Sequence, residues 1–282
     1  MTKIPFVKMV GAGNDFIIIE PNKSLDYVDF TKKVCNRQTG VGADGVLIID
    51  KSKSSDYQMR IINADGSEAE MCGNGARCTA AYIVANYAPT KSLFSMETLA
   101  GEVLGEAEGE VARVRLSNPK DYMSDLNITI AGQKMTVHYI DTGVPHVIAF
   151  VDGLQEVDVN SLGRLIRNHP RFAPRGTNVN FVEIASPVGG KSGNSMVAVR
   201  TYERGVEAET LACGTGSVAA ALISYIHTHP TVKEQKGASM KVSTASKEVL
   251  EITFDLHEGH VIDNVWLKGT AKLVAKGEFY YS

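Results

Sequence analysis

The chain has 282 residues, more than the roughly 100 to 200 residues of a typical domain, so two domains are expected. Its composition, 44% hydrophobic, 22% charged and 7% aromatic, excludes a disordered or fibrous protein. A net charge of -3 with dispersed basic residues argues against binding to nucleic acid, which requires clustered Lys and Arg. No stretch approaches the ~18 consecutive apolar residues of a membrane helix, and the first 20 residues lack a signal-peptide core. We therefore expect a cytoplasmic protein with reduced thiols.

Strand-like runs dominate the sequence, and glycine-rich turns separate them. Strands are predicted over residues 4–10, 16–20, 46–49, 59–63, 111–116, 135–140, 147–151, 181–184, 196–202, 249–254 and 261–266. Helices are predicted over residues 27–36, 76–87, 162–168 and 217–227. The second and fourth helices are apolar on nearly every face, which is typical of buried helices. Each of these two helices is expected to form the axis around which the strands of its half wrap.

One glycine-rich motif occurs twice along the chain. Residues 71–76 read Met-Cys-Gly-Asn-Gly-Ala and residues 212–217 read Ala-Cys-Gly-Thr-Gly-Ser, so Cys72 and Cys213 lie 141 positions apart, half of the chain length. The similarity continues upstream at nearly the same offset, in residues 37–41 and 175–179 and in residues 60–63 and 200–203. Small differences in offset are what insertions and deletions produce after a tandem duplication. The sequence therefore predicts two related halves, each with one motif cysteine.

The position of each motif cysteine, just before a predicted helix, favours its ionised form. Unpaired backbone N–H groups and the positive end of the helix dipole stabilise a thiolate there and can also bind a carboxylate. If Cys72 and Cys213 share one proton, the thiolate can remove a proton from a carbon while the thiol protonates the opposite face. This chemistry inverts a stereocentre without pyridoxal phosphate, and no cofactor is expected.

Other interpretations of the cysteines are weaker. A zinc site would need closely spaced ligand pairs, whereas Cys72 and Cys78 are six residues apart and Cys213 has no neighbouring ligand, so no metal is expected. A reducing compartment disfavours a structural disulfide, and inert burial accounts for Cys35 and Cys78. Two alternative functions remain open: a thiol redox protein that cycles Cys72 and Cys213, and a non-catalytic protein that binds an anion at its helix N-termini.

A further string is weaker still as a functional signal. Residues 189–192, Gly-Gly-Lys-Ser, are similar to the end of a phosphate-binding loop. The first glycine of that motif is replaced by Ala185, and the segment that follows is predicted to be a strand and not a helix. A hairpin loop is therefore predicted at this place.

Four motifs resemble those of the diaminopimelate epimerase family. They are residues 11–16 (Gly-Ala-Gly-Asn-Asp-Phe), 63–67 (Asn-Ala-Asp-Gly-Ser), 72–77 (Cys-Gly-Asn-Gly-Ala-Arg), and Glu-Arg-Gly at 203–205 leading to Ala-Cys-Gly-Thr-Gly at 212–216. The resemblance runs from about residue 4 to the last strand. It implies a pyridoxal-independent isomerase that converts LL-diaminopimelate to meso-diaminopimelate in the biosynthesis of lysine and cell-wall precursors. The alternative within the same chemistry is an epimerase or racemase of another amino acid.

The resemblance also implies a fold, a set of partners and a set of site residues. The fold is α/β (α+β), with two similar domains, each a largely antiparallel sheet wrapped around a central helix, and an active site in the interdomain cleft. The N-terminal domain spans residues 1–120, with residues 265–282 returning to it, and the C-terminal domain spans residues 121–264. The partner is a small-molecule amino-acid substrate, with no nucleic acid and no membrane, and a homodimer is compatible with the sequence.

The residue roles follow from the matching motifs. Cys72 and Cys213 are implied to be the catalytic pair. The residues implied to bind substrate are Asn14, Asn63, Gly73, Asn74, Asn178, Glu203, Arg204, Gly214 and Thr215. His146 and Glu203 are implied to support the site. The planar guanidinium of Arg204 suits the carboxylate at the far end of a substrate with two amino-acid heads.

Two positions depart from the family pattern. This chain has Gly45 after Asp44, where many members carry Gln, and Val144 before Pro145 and His146, where they carry Asn. Two side-chain hydrogen bonds to substrate are therefore expected to be absent or supplied by other groups.

Overall fold

The computed structural model describes residues 1–87, 91–184 and 196–282, and the string at residues 189–192 lies outside them. Packing divides the chain into two compact units. Unit 1 comprises Met1–Arg115 and Lys268–Ser282, and unit 2 comprises Leu116–Leu267. Within these described ranges, no helix is long and apolar enough to cross a membrane.

Strands outnumber helices among the described residues. The helices are α1 (Tyr27–Val34), α2 (Gly73–Tyr87), α3 (Val159–Arg167) and α4 (Gly214–Thr228), and short 3-10 turns lie at Leu154–Glu156, Pro170–Phe172 and Glu258–His260. The strands are β1 (Thr2–Gly11), β2 (Asn14–Ile19), β3 (Gly45–Asp50), β4 (Tyr57–Asn63), β5 (Glu68–Ala69), β6 (Phe94–Thr98), β7 (Gly101–Glu108), β8 (Val111–Arg115), β9 (Lys120–Ile130), β10 (Gln133–Asp141), β11 (Pro145–Phe150), β12 (Asn178–Ile184), β13 (Met196–Glu203), β14 (Ala208–Thr210), β15 (Gln235–Ser243), β16 (Val249–His257), β17 (Val261–Thr270) and β18 (Lys272–Tyr281).

Unit 1 is a largely antiparallel sheet around helix α2. Strand β1 pairs antiparallel with β2 and with the C-terminal β18, while β2 runs parallel to β3. Strand β4 pairs antiparallel with β3 and β5 and parallel with β6, which continues antiparallel into β7 and β8. Helix α2 packs against β1, β2, β3, β4, β7 and β8, and its residues from Gly73 to Ile83 are all buried. The prediction of a buried central helix is confirmed in this unit.

Unit 2 repeats this connectivity around helix α4. Strand β10 pairs antiparallel with β9 and β11, and β11 runs parallel to β12. Strand β13 pairs antiparallel with β12 and β14 and parallel with β15, which pairs antiparallel with β16. Helix α4 packs against β10, β11, β12, β13, β15 and β16. Strands β10 to β16 thus correspond one by one to β1 to β7, with the same parallel and antiparallel relations.

Both units also contain the same ion pair. In unit 1, Arg60 Nε and Nη2 contact the two carboxylate oxygens of Glu68 at 2.7 and 3.0 Å, which joins β4 to β5. In unit 2, Arg200 makes the same two contacts with Glu209 at 2.7 and 2.8 Å, which joins β13 to β14. In each unit the glutamate lies four residues before the motif cysteine.

The four predicted helices exist, with shifted ends. Helices α2 and α4 begin at Gly73 and Gly214, three residues before their predicted starts, so each motif cysteine directly precedes a helix. Helix α3 begins at Val159 instead of residue 162, because the Asp158 side chain accepts the N–H of Ser161 and caps the helix. Helix α1 ends at Val34, two residues earlier than predicted.

Candidate active site

Cys72 lies at the N-terminus of helix α2, and its sulfur caps that end of the helix. The Gly75 backbone N–H donates to Cys72 Sγ at 3.5 Å, and the Ala76 N–H donates to the Cys72 carbonyl at 2.8 Å. The cysteine is partly exposed, whereas the helix behind it is buried. An anionic sulfur at this position is stabilised by the N–H donor and by the helix dipole.

A network of side chains fixes two asparagine amides beside the same helix start. Arg77 Nη2 donates to Asn74 Oδ1 at 3.0 Å, Asn74 Nδ2 donates to Asn14 Oδ1 at 2.6 Å, and Asn14 Nδ2 donates to Asp44 Oδ2 at 2.9 Å. A guanidinium can only donate and a carboxylate can only accept, so the direction of every hydrogen bond between them is determined. Each amide carries a second N–H, one donor more than this network uses. The structure therefore brings together Asn14 and Asn74, two of the predicted binding residues.

Asn63 makes a separate set of side-chain contacts in unit 1. It is exposed at the end of β4, and its Nδ2 donates to Ser67 Oγ at 3.0 Å. Ser67 in turn donates to the Asp65 carboxylate at 2.6 Å, so the turn after β4 holds the asparagine side chain. Its predicted contact with substrate stays a prediction.

The glycine that departs from the family pattern has a structural cause. A Cβ atom added to Gly45 would lie 2.7 Å from the backbone oxygen of Ile62, closer than real side chains come. Gly45 is the first residue of β3 and pairs with Asn63 of the neighbouring strand β4. A glutamine at this position would require the backbone of β4 to move.

Cys213 is the N-cap residue of helix α4 and is 9% exposed. Its sulfur lies 3.5 Å from the Thr215 hydroxyl oxygen, and Thr215 Oγ1 lies 3.0 Å from His146 Nε2. The Thr215 carbonyl accepts a hydrogen bond from the Thr142 hydroxyl at 3.1 Å. Cys72 thus contacts a backbone N–H, and Cys213 contacts a side-chain hydroxyl.

Asn178 secures the backbone at the end of β13. Its Oδ1 accepts the Arg204 backbone N–H at 2.8 Å, and its Nδ2 donates to the Pro145 carbonyl at 3.0 Å. The guanidinium of Arg204 donates to the Arg175 carbonyl at 3.0 Å and remains partly exposed. Because both ends of the Asn178 amide contact backbone groups, its side chain holds the position of Arg204, a function that its motif does not reveal.

Glu203 and His146 are both shifted in pKa by burial. Burial raises the pKa of the Glu203 carboxyl, and a hydrogen bond from the Thr210 hydroxyl at 3.0 Å only partly opposes this effect. Burial, with a smaller contribution from the charge of Arg204, lowers the pKa of His146 to about 3. His146 is therefore neutral at physiological pH, with one protonated ring nitrogen and one acceptor.

Replacing Glu203 with glutamine is expected to raise the thermal unfolding temperature at pH 8. A carboxyl whose native pKa is raised contributes stability that is fully present below its unfolded pKa and is lost as the pH rises through its native pKa. Glutamine can still accept the Thr210 hydrogen bond but does not ionise. The difference in Tm between Glu203→Gln and the wild type should be positive at pH 8 and fall toward zero near pH 4, about the pKa of unfolded glutamate.

Glu207→Gln is the matched control for this measurement, on the same turn. The Gly205 backbone N–H and the nearby Arg167 lower the pKa of Glu207, so ionised Glu207 stabilises the native state. This variant should lose stability at pH 8, with the loss shrinking as the pH falls. Equal changes of Tm in the two variants across the pH range would contradict the expectation.

Several residues that contact the predicted site were not expected from the sequence. They are Arg77, Asp44, Asn180 and Thr201. Arg77 lies within the Cys-Gly-Asn-Gly-Ala-Arg motif, which is the signal that could have identified it. All four cysteines lie in the described ranges and are reduced thiols. Within those same ranges, no three His, Cys, Asp or Glu side chains converge as metal ligands would.

Comparison with known proteins gives both sequence relatives and structural neighbours. Residues 6–120 and 138–271 match the family described as diaminopimelate epimerase. A diaminopimelate epimerase of Aquifex aeolicus is 40% identical and covers 96% of both chains. One of Carboxydothermus hydrogenoformans is 38% identical and covers 98% of this chain and 99% of its own.

The structural neighbours are more distant in sequence. A PhzF-family phenazine biosynthesis protein of Bacillus anthracis superimposes with a TM-score of 0.73 at 17% identity and covers 100% of both chains. A probable proline racemase of Agrobacterium radiobacter superimposes with a TM-score of 0.71 at 13% identity and covers 99% of this chain and 93% of its own. At these identities the neighbours establish a shared fold, and they confirm the predicted fold class.

Proposed function

Because this chain belongs to the diaminopimelate epimerase family, we propose that it interconverts LL- and meso-diaminopimelate with Cys72 and Cys213 as the acid/base pair. The family membership confirms the resemblance read from the sequence. The enzyme is an isomerase, and the reaction is a step of lysine biosynthesis. A cytoplasmic location and a substrate that is a free amino acid complete the proposal.

The observation that carries the proposal is the repeated placement of a thiol at the start of a buried helix. Helices α2 and α4 begin one residue after Cys72 and Cys213, and each sulfur lies within hydrogen-bond distance of a donor. Neither an inert thiol nor a structural one explains why both halves of a duplicated protein place cysteine at the same turn. Proton transfer at two faces of one carbon requires two such groups.

The proposed reaction moves one proton off the substrate and another onto it. The thiolate of one cysteine takes the α-hydrogen as a proton, which leaves its electron pair on the α-carbon, and the thiol of the other cysteine then protonates the opposite face. The negative charge that develops on the α-carboxylate is stabilised by the backbone N–H groups at the helix start and by the amides of Asn14 and Asn74. The two cysteines exchange protonation states in each turnover, so reaction in the reverse direction uses the same groups.

The remaining predicted residues suit the far end of the substrate. Arg204 presents a planar guanidinium that fits a carboxylate with two parallel hydrogen bonds. Glu203 lies next to it in the sequence and can accept from an ammonium group when it is ionised. The Asn178 side chain, which holds the Arg204 backbone, gives this end of the site a fixed position.

Hydrogen exchange at the α-carbon is the direct test. The reduced protein, freed of pyridoxal phosphate, is incubated with LL-diaminopimelate in deuterium oxide, and the α-deuterium content and the stereochemistry are followed by NMR and chiral chromatography. We expect deuterium in the meso product at the inverted carbon. Exchange with proline or another amino acid, but not with diaminopimelate, would replace the proposed substrate. Failure to exchange with every substrate, together with turnover in a thiol–disulfide assay, would favour the redox alternative.

A further inference from the structure

Three buried polar residues of unit 2 occupy positions that are apolar in unit 1. The strand registers match Phe16 with His146, Leu47 with Asn180 and Ile61 with Thr201. All three unit 2 residues are almost completely buried, with 0%, 0% and 3% of their surface exposed. Burying polar groups costs free energy unless they are hydrogen-bonded.

These three residues and Thr215 form one hydrogen-bond network, which we call the unit 2 network. The Thr201 hydroxyl donates to Asn180 Oδ1 at 2.9 Å, and Asn180 Nδ2 lies 3.1 Å from His146 Nδ1. Asn180 Nδ2 also donates to the Val147 carbonyl at 3.0 Å. A carbonyl can only accept, so the Val147 contact fixes the orientation of the Asn180 amide.

The orientation of this amide determines which ring nitrogen of His146 carries the proton. Both hydrogens of Asn180 Nδ2 are directed outward, one to Val147 and one to His146 Nδ1, so Nδ1 must be the acceptor. His146 is neutral, and its proton therefore resides on Nε2. Nε2–H then donates to Thr215 Oγ1 at 3.0 Å, so the hydroxyl hydrogen of Thr215 is not used toward His146 and can be donated to Cys213 Sγ at 3.5 Å.

We propose that Asn180 is a positioning residue: it fixes His146 as the Nε2–H tautomer, so that the Thr215 hydroxyl donates to the Cys213 sulfur. With the opposite tautomer, Nε2 would accept the Thr215 hydrogen, and the Thr215 hydroxyl would no longer donate to the sulfur. The purpose of the network rests on the proposed function of Cys213, because a donor to sulfur favours the thiolate that removes a proton. In unit 1, the Gly75 N–H donates to Cys72 Sγ, and the positions that match His146, Asn180 and Thr201 are apolar.

The packing of helix α4 supports this assignment. A Cβ atom on Gly216 would lie 2.4 Å from Asn180 Oδ1 and 3.3 Å from Cys213 Sγ, so the asparagine amide is seated directly against the helix start. At the matching position of unit 1, a Cβ on Gly75 would meet the end of the Leu47 side chain at 3.1 Å. The amide thus occupies, next to the thiol, the volume that a leucine fills in the other unit.

The test compares Asn180→Asp with Asn180→Leu in the substrate-free protein. Nitrogen-15 NMR of labelled histidine, with His146→Gln used for assignment, reports which ring nitrogen is protonated. We expect Nε2–H in the wild type and Nδ1–H in Asn180→Asp, because a carboxylate can only accept from the ring. Asn180→Leu introduces the residue found at the matching position of unit 1, Leu47, and no longer fixes the tautomer of His146. This variant replaces Asn180→Asp in the test if the aspartate variant does not fold.

The second measurement is the alkylation rate of each cysteine by iodoacetamide at pH 7, followed by mass spectrometry of the two cysteine peptides. Loss of the donor should slow alkylation of Cys213 about tenfold in Asn180→Asp, because less thiolate is present, and by a smaller factor in Asn180→Leu, where both tautomers are populated. The rate at Cys72 in the same sample should not change and is the internal control. In a Thr215→Val background the Asn180 substitutions should have no further effect, since the network is already interrupted.

Three results would overturn the proposal. These are an Nδ1–H tautomer in the wild type, an unchanged Cys213 alkylation rate in both Asn180 variants, or additive effects of Asn180 and Thr215 substitutions. None of these measurements uses a substrate. If diaminopimelate does not exchange its α-hydrogen but the tautomer and alkylation results hold, the proposed function fails and the role of Asn180 stands.

Discussion

Replacing either Cys72 or Cys213 with alanine is expected to lower kcat/KM for epimerisation by about 10²- to 10⁴-fold, the usual contribution of one acid/base group. Each variant lacks a proton-transfer group on one face of the α-carbon but keeps the other. The remaining cysteine can still remove and return the hydrogen on its own side. We therefore expect residual α-hydrogen exchange without inversion, from one epimer in Cys72→Ala and from the opposite epimer in Cys213→Ala.

The control for these variants is Cys35→Ala. Burial, strengthened by the charges of Asp15 and Asp44, raises the pKa of Cys35 to about 12, so this thiol stays protonated and unreactive. Its replacement removes a buried sulfur and should lower thermal stability while kcat/KM of the folded enzyme stays near the wild-type value. Epimerisation at close to the wild-type kcat/KM in both motif-cysteine variants, or exchange from the same epimer in both, would remove Cys72 and Cys213 from the proposed roles.

Gly216→Ala is expected to destabilise the protein by about 1 to 3 kcal/mol, whereas Gly75→Ala should be close to neutral. Both glycines are the third residue of a buried helix, where alanine is preferred over glycine by roughly 1 kcal/mol. The added methyl of Gly216→Ala would lie 2.4 Å from Asn180 Oδ1, an amide held by three hydrogen bonds. The tightest contact of the methyl in Gly75→Ala is with the flexible end of the Leu47 side chain at 3.1 Å, and its contacts with Cys72 and Phe16 at 3.6 Å are ordinary van der Waals distances.

Urea unfolding of the two variants and the wild type measures this difference, with the unfolding slope used to check that the unfolded states are comparable. Because the displaced amide also belongs to the unit 2 network, Gly216→Ala should lower kcat in the protein that remains folded. Equal free energies of unfolding in the two alanine variants would show that the region around Asn180 adjusts to a methyl group, contrary to our expectation.

The sequence predicted the parts of the fold that depend on local pattern. The buried helices α2 and α4 were identified because their apolar residues leave no polar face, although their first turns were not, since Gly73 and Gly214 are poor helix formers in isolation. The strands β9 and β18 were not predicted. Strand β18 is mostly exposed and lacks the alternation of apolar and polar residues that marks a strand. The first half of β9 is exposed in the same way, whereas its second half, with Leu126, Ile128 and Ile130 buried, does alternate and was overlooked.

The candidate site also contains some residues that local sequence motifs predict and others that they do not. Cys72, Cys213, Asn14 and Asn74 were found from short motifs that are continuous in the sequence. Asn180 was not found, because its partner His146 lies 34 residues away and contacts it only through the pairing of β11 with β12. The direction of each hydrogen bond and the tautomer of His146 depend on the three-dimensional arrangement of all donors and acceptors in the network, so no single residue type in the sequence reveals them.

The ion pair occurs in both units, as Arg60–Glu68 and as Arg200–Glu209, and it shows which features the two halves of this duplicated chain still share. Each pair anchors a short strand through a glutamate that lies four residues before the motif cysteine. The segment between the anchored strand and the helix start therefore has the same length in both units. The groups around the sulfur then differed without altering that length. The backbone arrangement that positions the cysteine is the same in both halves, whereas the side chains around each sulfur have diverged.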